Sequence, residues 1–189
     1  MINIELDAFK NNLVKHKNEN IPYLIKSLYS DIPSWESLLE CLSQISMTDG
    51  TVLEQERAKN NGESRIGNVL YKGLYFNLEF ETDKLQDYFP SIDKILKEIN
   101  EYTSFNFKLS GLKIALFPYY VVPHTDVWDG FALQAQGVSN WKIKDENGLH
   151  EQEFSLEAGD FLFFPKGCIH EIDSTNPRST FIFISRDIK

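Results

Sequence analysis

Early in the chain the apolar positions follow a helical rhythm, and later they follow a strand rhythm. Leu6, Phe9 and Leu13 recur at helical spacing and predict an amphipathic helix over residues 4–17. IPYLIKSL, 21–28, reads as a strand, and Ser34 then stands as N-cap of a helix through SWESLLECLSQI with Glu36 in its first turn. NNGES, 60–64, is a polar loop without an apolar anchor. GNVLYKGLYFNLEFE, 67–81, is aromatic and branched enough for a strand, and ETDKLQDYFPSIDKILKEINEY reads as two helices divided at Pro90, with Ser91 capping the second. From Leu109 the pattern changes to short strands: LKIALF, FALQAQ, NWKIK, HEQEFSL, DFLFFP and STFIFIS. Asn147-Gly148 between two of them predicts a tight hairpin of type I′, which needs positive φ at both central residues.

Helices followed by a run of turn-separated strands predict a mainly β fold, a barrel or sandwich with N-terminal helical support. The length suits a single domain, 1–189, in which 1–108 supply helices and supporting strands and 109–189 form the β core. With 42% hydrophobic and 25% charged residues and no apolar run near the roughly 20 residues of a membrane span, the chain reads as globular, with no membrane partner. Its first residues lack the features of a secretory signal, which gives a cytoplasmic expectation. Cys41 and Cys168, far apart in sequence, are expected as two reduced, buried thiols. A net charge of -9 opposes sequence-independent binding to phosphate backbones, so nucleic acid is not an expected partner.

Candidate chemistry concentrates in two stretches. In FPYYVVPHTDVWDGFALQAQG, 117–137, His124 and Asp126 are two apart, a separation that puts both side chains on one face of a strand. In AGDFLFFPKGCIHEIDS, 158–174, Gly159, Pro165, Gly167 and His170 surround a buried apolar strand. The spacing resembles the second motif of the cupins, and Gly137 falls where their first motif has its closing glycine. The trio His124, Asp126 and His170 resembles the two-histidine, one-carboxylate facial triad, whose ligand types suit Fe(II) and leave positions open.

Within that superfamily the chain resembles the Jumonji C proteins, particularly the small protein hydroxylases. PYLIKSLYSDIPSWESL, GLYF, HTDVWDGFALQAQGVSNW and GDFLFFPKGCIHEI carry the resemblance, most densely over 117–171. It implies a double-stranded β-helix, a cupin or jelly-roll barrel. It also implies iron held by His124, Asp126 and His170, 2-oxoglutarate as cosubstrate, and hydroxylation of a C–H bond in a peptide or protein side chain or a small metabolite. Many members carry Lys or Arg at the position of Ser139 to pair with the distal carboxylate of 2-oxoglutarate; Lys142 is near in sequence but falls on the opposite strand face unless a bulge intervenes. Elsewhere in the superfamily an Arg-x-Ser on the last strand does this work, which makes Arg178 and Thr180 candidate contacts here, and Tyr75 matches a tyrosine that contacts the cosubstrate in several members.

Ordinary readings stand beside these. Arg178 also fits a surface position flanking a strand, Tyr75 a packed aromatic and Ser139 a bystander. Trp128 fits a pocket wall or a barrel mouth, Cys168 a buried hydrophobe, and His16 and His150 exposed positions. The competing readings are a metal-binding cupin that does not use 2-oxoglutarate, either a ligand sensor or another metalloenzyme, and a structural barrel without metal.

Overall fold

A computed structural model describes residues 6–48, 75–78, 85–103, 105–116, 118–174 and 177–185. The polar loop at 60–64 and most of the strand expected over 67–81 lie outside them. Helix α1 (Leu6–Glu19) precedes β1 (Tyr23–Ile25), α2 (Trp35–Thr48), β2 (Tyr75–Leu78), α3 (Leu85–Tyr88) and α4 (Pro90–Thr103). Eight further strands follow: β3 (Phe107–Ala115), β4 (Tyr119–Thr125), β5 (Gly130–Gln136), β6 (Ser139–Lys144), β7 (Glu151–Leu156), β8 (Phe161–Phe164), β9 (Ile169–Ser174) and β10 (Arg178–Ser185). They form two antiparallel sheets, one ordered β1-β8-β5-β10-β3-β2 and the other β4-β9-β6-β7. Strands β3 to β10 divide four and four between the sheets, the double-stranded β-helix arrangement, with β1 and β2 extending the larger sheet at its edges.

The larger sheet is covered on both faces, which is why its strands read as nearly continuous apolar runs. Along β8, Phe161 and Phe163 belong to the core under the helices, whereas Leu162 and Phe164 belong to the smaller core between the sheets. Along β10, Phe181 and Phe183 join the helix-side core. Helix α4 meets it with Ile92, Ile95, Leu96 and Ile99, a stripe at helical period, and α1 with Phe9 and Leu13, Phe9 lying edge-on to Phe161 at 6.2 Å. Both cysteines are buried free thiols, and burial pushes them up, Cys41 to about 12 and Cys168 to about 11.

Three local expectations change. The second helix of the pair starts at Pro90, and the Phe89 carbonyl accepts from the amides of Ile92 and Asp93, so Phe89 occupies the cap and Ser91 lies inside the first turn. Proline is favoured there because a first-turn residue needs no N–H partner. The β6–β7 connection is not type I′: among the described residues Asn147 does not have positive φ, Gly148 does (71°), and the Gly148 amide donates to Asp145 O. Asp145 Oδ1 also accepts from the Leu149 amide, so the aspartate builds a longer loop around an ordinary turn. His16 is half-buried rather than exposed, stacked on Tyr23 at 4.4 Å, while His150 is exposed. Ser34 caps α2 through its hydroxyl and the Ser37 amide, as expected.

Gly159 shows why the turn before β8 needs glycine. Its φ is +89°, and a Cβ there would lie 2.3 Å from Tyr29 O, on the segment that leads from β1 toward α2. Gly148 has a similar φ but open space around it. Gly159→Ala should therefore lower the melting temperature clearly more than Gly148→Ala, whose cost is limited to the left-handed backbone, about 1–2 kcal/mol. Thermal melts of the two variants by circular dichroism check this. The two buried thiols should react with a disulfide reagent at pH 8 only after unfolding, a difference that absorbance at 412 nm reads directly.

Candidate metal centre and its cavity

His124 sits near the end of β4 and His170 near the start of β9, directly paired. Regular pairing from Val121↔Ile172 would have turned His124 away from the barrel; one extra residue in β4, in the Val122–Pro123 segment, shifts the register and brings His124 opposite His170. Proline suits this place because a bulge relieves the ladder of one N–H. The imidazole centroids lie 4.2 Å apart. Asp126 follows just beyond the strand end, its Oδ2 3.7 Å from His170 Nε2. One ligand atom from each of the three residues lies within 4.8 Å of the others.

Both histidines are oriented by their Nδ1 atoms, His124 toward Val122 O at 2.9 Å and His170 toward Cys168 O at 3.3 Å. With Nδ1–H donating, each Nε2 is left as a lone-pair ligand. His170 is 3% exposed; burial first, and then His124, hold its pKa below the usual histidine range, against the pull of Asp126. Neutral imidazole is the ligand form. Trp141 stacks on His170 at 5.9 Å and Phe164 packs at 5.1 Å, fixing the ring from the barrel interior.

The loop carrying Asp126 is clamped. Asp126 O accepts from the Gly167 amide at 2.8 Å, and Asp129 Oδ1 accepts from the Lys166 amide at 3.0 Å. Asp129 O accepts from the Ser185 amide, and its other carboxylate oxygen pairs with Lys17 of α1 at 3.3 Å. The buried Asp129 thus joins the Asp126 loop, the Pro165–Gly167 bend before β9, the end of β10 and the first helix.

A cavity of about 230 Å³ opens beside the triad, lined by His124, Asp126 and His170, by Arg178 and Lys113, and by walls that include Trp128, Trp141 and Ile182. Arg178 is 1% exposed, which corrects the surface reading: a guanidinium inside the barrel faces the same space as the ligands. Its Nη1 donates to Thr180 Oγ1 at 2.9 Å, and Thr180 donates to Gln134 Oε1 at 2.9 Å. Ser139 also donates to Gln134 Oε1, at 2.8 Å, and accepts from Trp141 Nε1 at 3.0 Å. A continuous buried network therefore runs from Arg178 to the indole that stacks on His170. Ser139 and Thr180 are members of this network and are not among the cavity-lining residues. Lys142 faces outward and pairs with Glu153 at 3.3 Å. Tyr75 pairs with Ala115 at the sheet edge, and its side chain lies outside what is described. Trp128, 42% exposed, stands at the cavity mouth.

Gln134, Lys113, Trp141 and Asp129 escaped the sequence reading. A trace of the first two is visible there: Lys113 interrupts the apolar run LKIALF, and Gln134 interrupts FALQAQ before its terminal Gln136. The register pairs Thr180 with both of them, Ala135 being the extra residue that swings Gln134 opposite Thr180.

Comparison with known proteins agrees with this geometry. Residues 84–186, more than half of the chain, match the family model described as JmjC domain. A bifunctional lysine-specific demethylase and histidyl-hydroxylase NO66 from Drosophila grimshawi is 24% identical over 89% of this chain and 27% of its own length. Ribosomal oxygenase 2 from Bos taurus is 32% identical over 33% of this chain and 17% of its own. The chain thus spans a minor part of the length of these curated relatives. Among solved structures, the Escherichia coli ribosomal oxygenase YcfD, in complex with cobalt and 2-oxoglutarate, superposes with a TM-score of 0.64 at 17% identity, covering 100% of this chain and 53% of that one. Its complex with cobalt and succinic acid gives 0.65. At such identity the likeness is one of fold.

His124→Ala and His170→Ala should each remove most divalent-metal binding while leaving the barrel folded, since neither touches the Pro165–Gly167 bend. Metal content by mass spectrometry and a melting curve check both halves. Asp129→Ala should weaken Co(II) affinity about tenfold, the scale typical of groups that orient a ligand from behind; a titration followed by the visible bands of Co(II) measures it.

Proposed function

This chain belongs to the JmjC domain family, and on that premise we propose that it is an Fe(II)- and 2-oxoglutarate-dependent oxygenase. In this reading it hydroxylates an unactivated C–H bond of a peptide or protein side chain. The observation that carries the reading is the shared cavity of His124, Asp126, His170 and the buried Arg178. Two neutral imidazoles and one carboxylate fit Fe(II) and leave one side of the ion open to cosubstrate and O2. Bound together, iron and 2-oxoglutarate supply the oxidising chemistry: R–H, O2 and 2-oxoglutarate become R–OH, succinate and CO2.

The chain's own residues do the positioning. His124 and His170 present Nε2 because main-chain carbonyls occupy their Nδ1–H groups. Asp126 contributes a negative charge against the dication and is held in place through Gly167 and Asp129. Arg178 offers the distal carboxylate a planar, permanently charged fork, and Thr180 and Gln134 fix its direction. Val121, Phe164, Ile172 and Ile182 supply apolar wall beside the ligands.

A protein side chain is favoured as substrate by the rim. Val122, Val127 and Trp128 flank the ligand loop and are exposed, an apolar margin suited to contact with a peptide. The names of the relatives, a histidyl-hydroxylase and a ribosomal oxygenase, support the same class. Among the described residues no helix is long and apolar enough to cross a membrane. Two buried free thiols support an intracellular, reducing setting as part of the reading.

One observation favours the alternative of a metal-binding cupin without 2-oxoglutarate turnover. Ser139, where many family members carry a cation, has its hydroxyl committed to Gln134 and Trp141. Iron-loaded protein incubated with 2-oxoglutarate, O2 and panels of peptides and amino acids separates the two. Formation of succinate supports the oxygenase; stoichiometric iron with no succinate across the panels would leave the cupin alternative. Arg178→Met should keep iron and raise the Km for 2-oxoglutarate about tenfold or more, since a charge-assisted hydrogen bond is worth roughly 1.5–3 kcal/mol.

A further inference from the structure

We infer that Lys113 is a second cationic contact for the far carboxylate of the cosubstrate, so that the anchor is a two-strand clamp made by β3 and β10 rather than by Arg178 alone. The inference rests on the oxygenase reading above and deepens it.

Lys113 stands on β3 directly opposite Thr180 of β10, and Arg178 stands opposite Ala115. Directly opposed residues share a face, with Cβ atoms about 4.5–5.5 Å apart. Arg178 and Thr180 are two apart on one strand and also share that face. Arg178 turns its guanidinium toward Thr180, reaching its hydroxyl at 2.9 Å. The charged end of the arginine is thereby drawn to the residue from whose opposite neighbour the lysine side chain rises. Both cations line the cavity, and among its described lining residues they are the two basic ones apart from the histidine ligands.

A carboxylate that reaches both basic side chains is attracted by each of them. Ile182 and Ile184 continue that wall along β10, and Ser110 continues it along β3. The lysine is half-buried and the arginine fully so. The pair therefore combines a buried planar fork with a more exposed, flexible ammonium, which suits the far end of a short dicarboxylate whose other end lies at the metal. A cation at Lys113 also provides, from β3, the positive charge that Ser139 does not provide from β6.

The test measures binding rather than turnover. Co(II)-loaded wild type, Lys113→Met, Lys113→Arg and Arg178→Met are titrated anaerobically by calorimetry with 2-oxoglutarate and with 2-oxopentanoate, which keeps the metal-binding end and lacks the far carboxylate. Lys113→Met should weaken 2-oxoglutarate about tenfold, equal to about 1.4 kcal/mol, and change 2-oxopentanoate less than about twofold. Lys113→Arg should restore most of the affinity. Melting curves and metal content of the same samples report whether each variant is folded and loaded. Unchanged 2-oxoglutarate affinity in folded Lys113→Met overturns the clamp, including the case in which peptide turnover alone falls and the lysine serves the substrate instead. Equal loss for both 2-oxo acids also overturns it, because the effect would then lie at the metal end. A wild type that binds neither acid, or binds both equally well, defeats the underlying cosubstrate reading.

Discussion

The candidate centre depends on the register between β4 and β9. Val121 pairs with Ile172 and His124 with His170, and both statements hold only because β4 carries one residue more than its partner across that interval. Strand side chains alternate strictly, so a one-residue shift exchanges the inner and outer faces of everything beyond it. Upstream of the extra residue Val121 packs inward; downstream His124 does, and Asp126 follows at the strand end. The bulge is thus what puts two imidazoles and a carboxylate within reach of one ion instead of leaving a histidine on the outer surface.

What keeps that register in place lies mostly outside the centre. Asp129 ties the ligand loop to the Pro165–Gly167 bend, to β10 and to α1, so that the helical layer is mechanically part of the metal site. The larger sheet is suited to this double duty because its two faces are separately filled. Phenylalanines of β8 and β10 pack under the helices, while the alternate residues build the barrel interior. A close-packed layer of this kind transmits position with little slack.

Inside the barrel the polar residues are few and mutually committed. Gln134 accepts from two hydroxyls and donates through its Nε2 to Gln136 O, which leaves its orientation determined by the network. Buried networks of this kind specify a unique arrangement when their members are satisfied. Here the two ends of the network are Arg178 and the Trp141 indole, one facing the cavity and the other stacked on His170. In a chain of net charge -9, two basic side chains, Arg178 and Lys113, thus line one interior cavity beside the ligands.

Much of this was legible before any coordinates. Helical spacing marked α1, the division at Pro90 marked α4, turn-separated apolar runs marked most of the barrel, and the motifs around His124 and His170 marked the ligands, because such features are local and extend over a few residues. The cap at Phe89 and the loop around Gly148 were misread by their most familiar local signals, Ser91 and Asn-Gly, since proline at Pro90 and the Asp145 side chain offered competing local solutions. Three other things were decided only by the fold: the burial of Arg178, the recruitment of Ser139 and Thr180 into a network with Gln134, and the presence of Lys113 beside them. Each follows from pairing between strands distant in sequence, and from single extra residues in β4, β5 and β3 that reset which side chains face each other. Sequence determines which residues alternate along a strand; only the assembled sheets determine which strand, and which face, they meet.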